Sequence, residues 1–260
     1  QSPLVVVDGF PRSLDFLSTV EIESIEVLKD GAATSIWGTR GANGVILVTT
    51  KRGKKQKRDI SINYSHGLGL LINQPEMVDG YTYAMARNEA LYYDGLDLQY
   101  SQSDLDAFRS GKYPELFANT DWANEAFRNH TVNNQLDLTF SGGGEKVRYF
   151  TALTYKNDFG VLNHQYTKNE RYNSQYRNYE MNLRMNLDVD LTPSTLVKWT
   201  MLGRLKETTQ PRDYDFSLIY NTPSAVYPVK TASGHWGGDL IYTRNPIASF
   251  SDHGYHKENP

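Results

Sequence analysis

Few residues in this chain are spaced for bond-making chemistry. The segment Gly38-Thr39-Arg40-Gly41-Ala42-Asn43-Gly44 is glycine-rich enough to suggest a phosphate cradle. It lacks the Gly-Lys-Ser/Thr ending that would put an ammonium and a hydroxyl on the phosphates, so tight turns are the better reading. Asp188 and Asp190 share one strand face at i, i+2 and have calcium-ligand chemistry, but a polar row on a wet face accounts for them more simply. Asp94 and Asp97 flank Gly95 without EF-hand spacing. The histidines (66, 130, 164, 235, 253 and 256) form no H-E-x-x-H or paired zinc pattern. Cysteine is absent, which excludes disulfides and thiolate metal sites. No Ser/His/Asp set follows from spacing. No catalytic residue, cofactor ligand or metal ligand is therefore expected.

Flat rings are the second candidate chemistry. Tyr92, Tyr93, Tyr113, Tyr166, Tyr214 and Trp236 fall in polar, loop-like or lumen-facing stretches, where they can stack on sugar rings. Anchoring at a water–lipid interface explains each of them equally well. The chain has 18 Tyr, 10 Phe and 4 Trp. β propensity alone already selects tyrosine, so this count also fits an ordinary soluble β-rich domain.

The bulk properties narrow the classes. The chain has 260 residues and formal net charge −3, with pI near 6.1, so charge gives no argument for nucleic acid. Mean hydropathy is −0.58 and no apolar run approaches the ~20 residues of a spanning helix. A β-barrel remains open, because its alternating strands are only weakly hydrophobic. The chain opens on an apolar strand with neither Met nor signal peptide, which suggests an internal piece of a longer protein.

Two regions must position these residues. The first runs from Leu4 to Thr50. LVVV reads as a buried strand and Asp8-Gly9 as a turn. IESIEVL over 22–28 alternates like a half-exposed strand, and Asp30-Gly31 ends it. Residues 32–37 predict a helical turn or two, and 45–50 another buried strand. Gly38, Gly41 and Gly44 recur every third residue, where glycine allows positive φ or close backbone approach. The basic run Lys51 to Arg58 has the charge to bind anionic lipid headgroups or nucleic acid, but a solvated linker accounts for it more simply. The domain boundary falls within it, giving 1–55 and 56–260.

The second region has period two. Ile60, Ile62, Tyr64, His66, Leu68 and Leu70 share a face, and Leu136, Leu138 and Phe140 share another. Val147, Tyr149, Leu153 and Tyr155 alternate with Lys146, Arg148, Thr154 and Lys156. From Tyr179 to Leu191 every second residue is apolar, opposed by Glu180, Asn182, Arg184, Asn186, Asp188 and Asp190. Val197, Trp199, Met201 and Leu205 then oppose Lys198, Arg204 and Lys206. Such lengths match membrane strands of ~9–11 residues better than soluble strands of ~5–6. The charges keep to the polar faces. Helical signals lie at 80–94, 103–109 (Ser103 as N-cap, Gly111 past the end) and 121–128.

Connection lengths discriminate further. The link after Leu70 is long, Gly142 to Gly144 is tight, Asn157 to Asn178 is long, and Thr192 to Ser194 is tight. Outer-membrane barrels have short turns on one side and long loops on the other. A soluble sandwich has no reason to obey this parity. The expected fold is therefore mainly β: part of a membrane-spanning antiparallel barrel whose wall follows a small α/β domain, with partly helical external loops.

The run DGFPRSL…IESIEVLKDGAATSIWGTRGANGVILVTTKRG resembles the end of the plug domain in SusC/RagA-type TonB-dependent outer-membrane transporters. Trp37, Thr39 and Gly41 are mild departures from that family's usual residues. Thr120-Asp121-Trp122, Glu125 to Arg128, Ser141 to Glu145, Tyr149-Phe150 and Asn245-Pro246-Ile247 are similar to its early barrel. The entry strand at Arg171-Tyr172 or at Arg177 to Tyr179 also fits. The resemblance implies a barrel of about 22 strands when complete. It marks Asp8, Gly9, Glu26, Lys29, Asp30, Gly38, Arg40, Gly41, Asn43 and Gly44 as the plug signature. It further implies a leader, a small sandwich extension, a TonB box and the first part of the plug upstream.

A plugged wide barrel is a closed pore in a membrane without its own ATP. The resemblance implies that TonB opens it through an upstream segment and that a SusD-like lipoprotein lid covers it. Outer-membrane lipid surrounds it, with the plug toward the periplasm. Glycans are the expected cargo, and peptides the alternative. A β-rich receptor or adhesin that captures without transporting is the second class. A soluble glycan-active enzyme is the third, and it would need two carboxylates facing one cleft.

Overall fold

The computed structural model describes residues 2–31, 35–168, 170–213 and 215–258, which form two sheets. In the small one, β1 (Leu4–Val7), β2 (Phe10–Pro11), β3 (Ile22–Leu28) and β4 (Val45–Thr50) are ordered β2-β1-β4-β3. β1 runs parallel to β4, and the other pairs are antiparallel. LVVV and VILVTT are β-branched runs that suit a pleated, buried surface, and Val6, Val7, Val45 and Val48 form its core. β1 and β2 are joined by Asp8-Gly9 alone, with φ of 49° and 89°. Positive φ at both central residues matches the twist of a two-residue hairpin. Aspartate tolerates that region and glycine enters it freely.

The large sheet is an antiparallel meander of β5 (Gln56–Leu70), β6 (His130–Gly143), β7 (Val147–Phe159), β8 (Arg177–Thr192), β9 (Thr195–Pro211) and β10 (Tyr255–Glu258). The basic run therefore does not remain a linker to its end, because Gln56, Lys57 and Arg58 already belong to β5. The short strand β10, which pairs with 208–211 at the far end of β9, was not foreseen.

Register carries each face across the whole sheet. Ile62, Leu138, Leu153, Leu183 and Gly203 make one cross-strand row, and Ile60, Phe140, Thr151, Met185 and Met201 make the next. On the opposite face Asn63, Asp137, Thr154, Asn182 and Arg204 form a polar row. The apolar face stays open, with Ile62 67 %, Leu205 59 % and Trp199 45 % exposed. The polar face of β8 is the covered one: Glu180, Asn182, Arg184, Asn186 and Asp188 are all buried. This inverts the layering of a water-soluble sandwich and suits a wall with lipid outside. At ~3.3 Å per residue, Tyr179 to Val189 runs ~33 Å along the strand. A tilt of ~40° brings this to ~25 Å, the height of a lipid-facing band.

Tight turns at 144–146 and 193–194 close one end of the sheet. The long connections at the other end hold α1 (Gly80–Tyr93), α2 (Gln102–Ser110), α3 (Trp122–Ala126), α4 (His164–Thr167), α5 (Phe216–Asn221) and α6 (Pro246–Ser251). All three connections meet in one core, with Trp122 and Ala126 from the first, Leu162 and Tyr166 from the second, and Ile219 and Phe250 from the third segment, while α1 and α2 pack Ala84, Leu105 and Phe108 with Ala225 in a second. The Trp122 indole N–H donates to the Pro223 carbonyl (3.2 Å), and the Ser174 hydroxyl to that of Phe250 (2.7 Å). The N-cap of α2 is Ser101, not Ser103. Ser101 and Asp104 exchange side-chain-to-backbone bonds in a capping box, which outcompetes a cap two residues later. Gly111 ends this helix with φ 64°, as its position past the last turn predicts.

Candidate functional site

The small sheet sits on the polar face of the wall, and charged groups concentrate in the seam. Arg184, on β8, is 2 % exposed and faces two carboxylates. Its Nε donates to Glu21 Oε2 at 2.7 Å, and its Nη1 lies 3.5 Å from Asp8 Oδ2. The turn before β2 aims Asp8 inward, where its carboxylate accepts from the Thr50 backbone N–H (2.9 Å) and hydroxyl (2.6 Å). Asn186, one row below Arg184, donates to the Lys51 carbonyl at 2.7 Å and to the Thr50 hydroxyl at 3.2 Å. Arg52 pairs with Asp188 and donates to the Thr200 hydroxyl at 3.1 Å. At the other flank, Asp137 on β6 accepts from Thr154 (2.7 Å) and Ser18 (3.4 Å).

Glu21 is fully enclosed. Burial pushes its carboxyl above the ordinary 4.5, and Arg184 pulls the other way through its hydrogen bond and charge. Gly53 brings the chain leaving β4 against the wall: a Cβ there would stand 2.1 Å from the Tyr149 backbone nitrogen, so only glycine fits. Beside the seam a cavity of about 700 Å³ is lined by Asp8, Phe10, Arg12, Arg52, Arg184 and Lys198.

Of the ten signature residues, Asp8 enters this network directly. Gly9 completes its turn. Glu26 lies on exposed β3, with Lys29 and Asp30 just beyond. Gly38 and Gly44 adopt positive φ, while Gly41 does not and is buried. Arg40 and Asn43 lie on the exposed side of the same 3-10 segment, Ser35–Gly41 and the turn after it. Residues 32–34 of the predicted helical turn lie outside the described residues.

The stacking aromatics separate into groups. Tyr92 and Tyr93 are exposed at the end of α1 and meet edge to face at 5.8 Å. Tyr113 is exposed, with Lys112 over its ring at 5.0 Å. Tyr166 departs from the expectation. It is buried in the loop core and its hydroxyl bonds Glu125, so its ring has no face free for a ligand. Trp236 packs near Tyr166 (6.3 Å), carries Lys230 over its ring (4.3 Å) and donates to Asp252. Tyr214 lies outside the described residues. Asp188 and Asp190 are held by arginines, Asp190 by Arg148 at 2.6 Å. Among the described residues, no cluster of three or more acidic or histidine side chains could hold a metal.

Sequence reasoning put Arg184, Asn186 and Asp188 on a polar strand face but found no role for Glu21, Thr50, Arg52 or Asp137. The one available signal was Arg184 itself, a full charge midway along an over-long strand. Nothing local marks Glu21 as its partner, 163 residues away.

Residues 1–45 match the model of the TonB-dependent Receptor Plug Domain family. The chain is 32 % identical over 200 residues to TonB-dependent receptor P3 of Formosa agariphila, covering 77 % of this chain and 17 % of that one. It is 31 % identical over 171 residues to TonB-dependent receptor SusC of Bacteroides thetaiotaomicron, covering 62 % and 15 %. The chain thus spans about a sixth of these relatives' length. Among solved structures, that of the RagAB peptide transporter superposes with TM-score 0.72 at 22 % identity, covering 96 % of this chain and 30 % of the other.

Proposed function

We propose, from the premise that this chain is a plug-end and early-barrel segment of a SusC/RagA-type TonB-dependent transporter, that it forms part of the gate and wall of an outer-membrane importer. Residues 1–55 are the end of the plug and 56–260 the first barrel strands with their loops. The observation that carries the reading is the two-sided wall. One face is apolar and open, and the other is closed by the small sheet through the buried Arg184–Glu21 pair. The relatives are receptors rather than enzymes, and the side chains of the seam fit a mechanical role. The plug points to the periplasm and the long loops outward. TonB acts through a segment outside this chain, and a SusD-like lipoprotein covers the loop layer.

Glycan is the cargo of this reading, supported by the exposed Tyr92, Tyr93 and Tyr113 rings on the loop side. Peptide is the second reading, favoured by the substrate named for the RagAB structures. Uptake of labelled oligosaccharides and oligopeptides by cells with and without TonB tests both. Entry that needs TonB and is selective for oligosaccharide is expected. Equal entry without TonB rules out gated import, and selectivity for peptide replaces the cargo.

A further inference from the structure

The outer face of the wall carries a cationic notch that no part of the gate uses. β5 pairs with β6 through Gln56↔Gly143 and then Asp59↔Ser141, so Lys57 and Arg58 together oppose the single residue Gly142. This is a β-bulge, which re-aims side chains by placing two residues against one. Gln56 and Asp59, on either side of it, both face the plug, where they line a cleft with Glu23, Lys54 and Ser61. The bulge therefore turns two consecutive cations toward the apolar face that Ile60 continues. Both are exposed.

Gly142 leaves that level of the face bare, and the Tyr149 ring lies across it. A Cβ on Gly142 would be 2.9 Å from the Tyr149 hydroxyl and 3.2 Å from Arg58 Cα. The same cross-strand row continues through Leu187 to Trp199. Two cations and a phenol hydroxyl thus lie together on this face at the tight-turn end of the strands, with the Trp199 indole further along the same row, on β9. Amphipathic rings settle at headgroup depth, and lysine and arginine reach from apolar surface to the charged layer. The neighbouring lysines do not share this aim: Lys54 pairs with Glu23 at 3.0 Å, and Lys55 with Glu145.

We propose that Lys57, Arg58 and the Tyr149 hydroxyl bind the phosphate of an anionic phospholipid in the leaflet on the tight-turn side. The proposal rests on the reading that these strands face lipid. Each cation near a charged membrane surface strengthens binding several-fold, so removing both weakens it about tenfold to thirtyfold.

The test is native mass spectrometry of the full-length receptor titrated with phosphatidylglycerol and, separately, phosphatidylethanolamine. Wild type is expected to retain phosphatidylglycerol preferentially. Lys57→Gln/Arg58→Gln is expected to lose that preference, while Lys54→Gln/Lys55→Gln, which removes two charges from lysines paired with Glu23 and Glu145, keeps it. Retention unaffected by millimolar inorganic phosphate supports a lipid headgroup, and displacement by phosphate alone overturns it. Unchanged phosphatidylglycerol binding in the double variant also overturns the proposal. A receptor that binds neither lipid and stays soluble without detergent defeats the underlying membrane reading instead.

Discussion

Arg184 serves two carboxylates at once, and the surroundings of the three groups decide what its loss does. Glu21 and Arg184 are both enclosed, so deleting the cation strands a buried anion, at a cost of about 3–5 kcal/mol. Arg184→Met in the full-length receptor is therefore expected to expose the plug to protease at lower denaturant. Glu21→Gln should recover part of that loss, because the stranded charge disappears. The same residue predicts a pH effect. The seated Glu21 titrates above its ordinary 4.5, so seating favours the protonated acid. Its contribution is complete below about pH 4.5 and falls away as pH rises through the raised value. Plug protection measured across that range should decline with pH in wild type and flatten in Glu21→Gln. At this scale the sequence was only half legible. A charge on a polar strand face is visible in the period-two pattern, but its partner depends on tertiary placement that no spacing encodes.

Strands were the most readable elements because their period was nearly unbroken. β8 follows the alternation from Tyr179 to Val189 and β9 resumes it from Val197, with Leu202 departing onto the polar face opposite Arg184, and the register then fixes which face stays open. Leu183→Arg, in the middle of that face, should cost roughly 2–4 kcal/mol of folding stability in bilayers. Thr139→Arg, on the polar face, should cost far less, and urea titration of vesicle-inserted receptor compares the two. Departures from period two were illegible for the same reason that the period was clear. The bulge at Lys57-Arg58 depends on what β6 presents opposite it, and the cap of α2 depends on a reciprocal bond between Ser101 and Asp104. Close approach was hidden as well. Gly53 reads as a gap in a basic run, yet its backbone lies on that of Tyr149. Gly53→Ala should push the plug from the wall, with about 1–3 kcal/mol of overpacking, visible as faster proteolysis after residue 50.

On the scale of the whole molecule, two ends of the wall behave differently. The turn end is short and charged, whereas the loop end is a packed layer in which three separate connections share the Trp122 core. Trp122→Ala should cost about 3–5 kcal/mol and loosen all three connections together, which hydrogen exchange of the receptor would register as correlated deprotection. Joint loosening is the discriminating result, since independent loops would respond singly. The last consequence comes from β5, which has β6 on one flank and, among the described residues, no strand on the other. Hydrocarbon offers nothing to satisfy a row of bare amides and carbonyls. Water permits them only as an adhesive margin that recruits like margins. A polypeptide cut to this stretch would zip to its own copies and elute as polydisperse ladders, so the seam and the notch have to be interrogated in a closed ring.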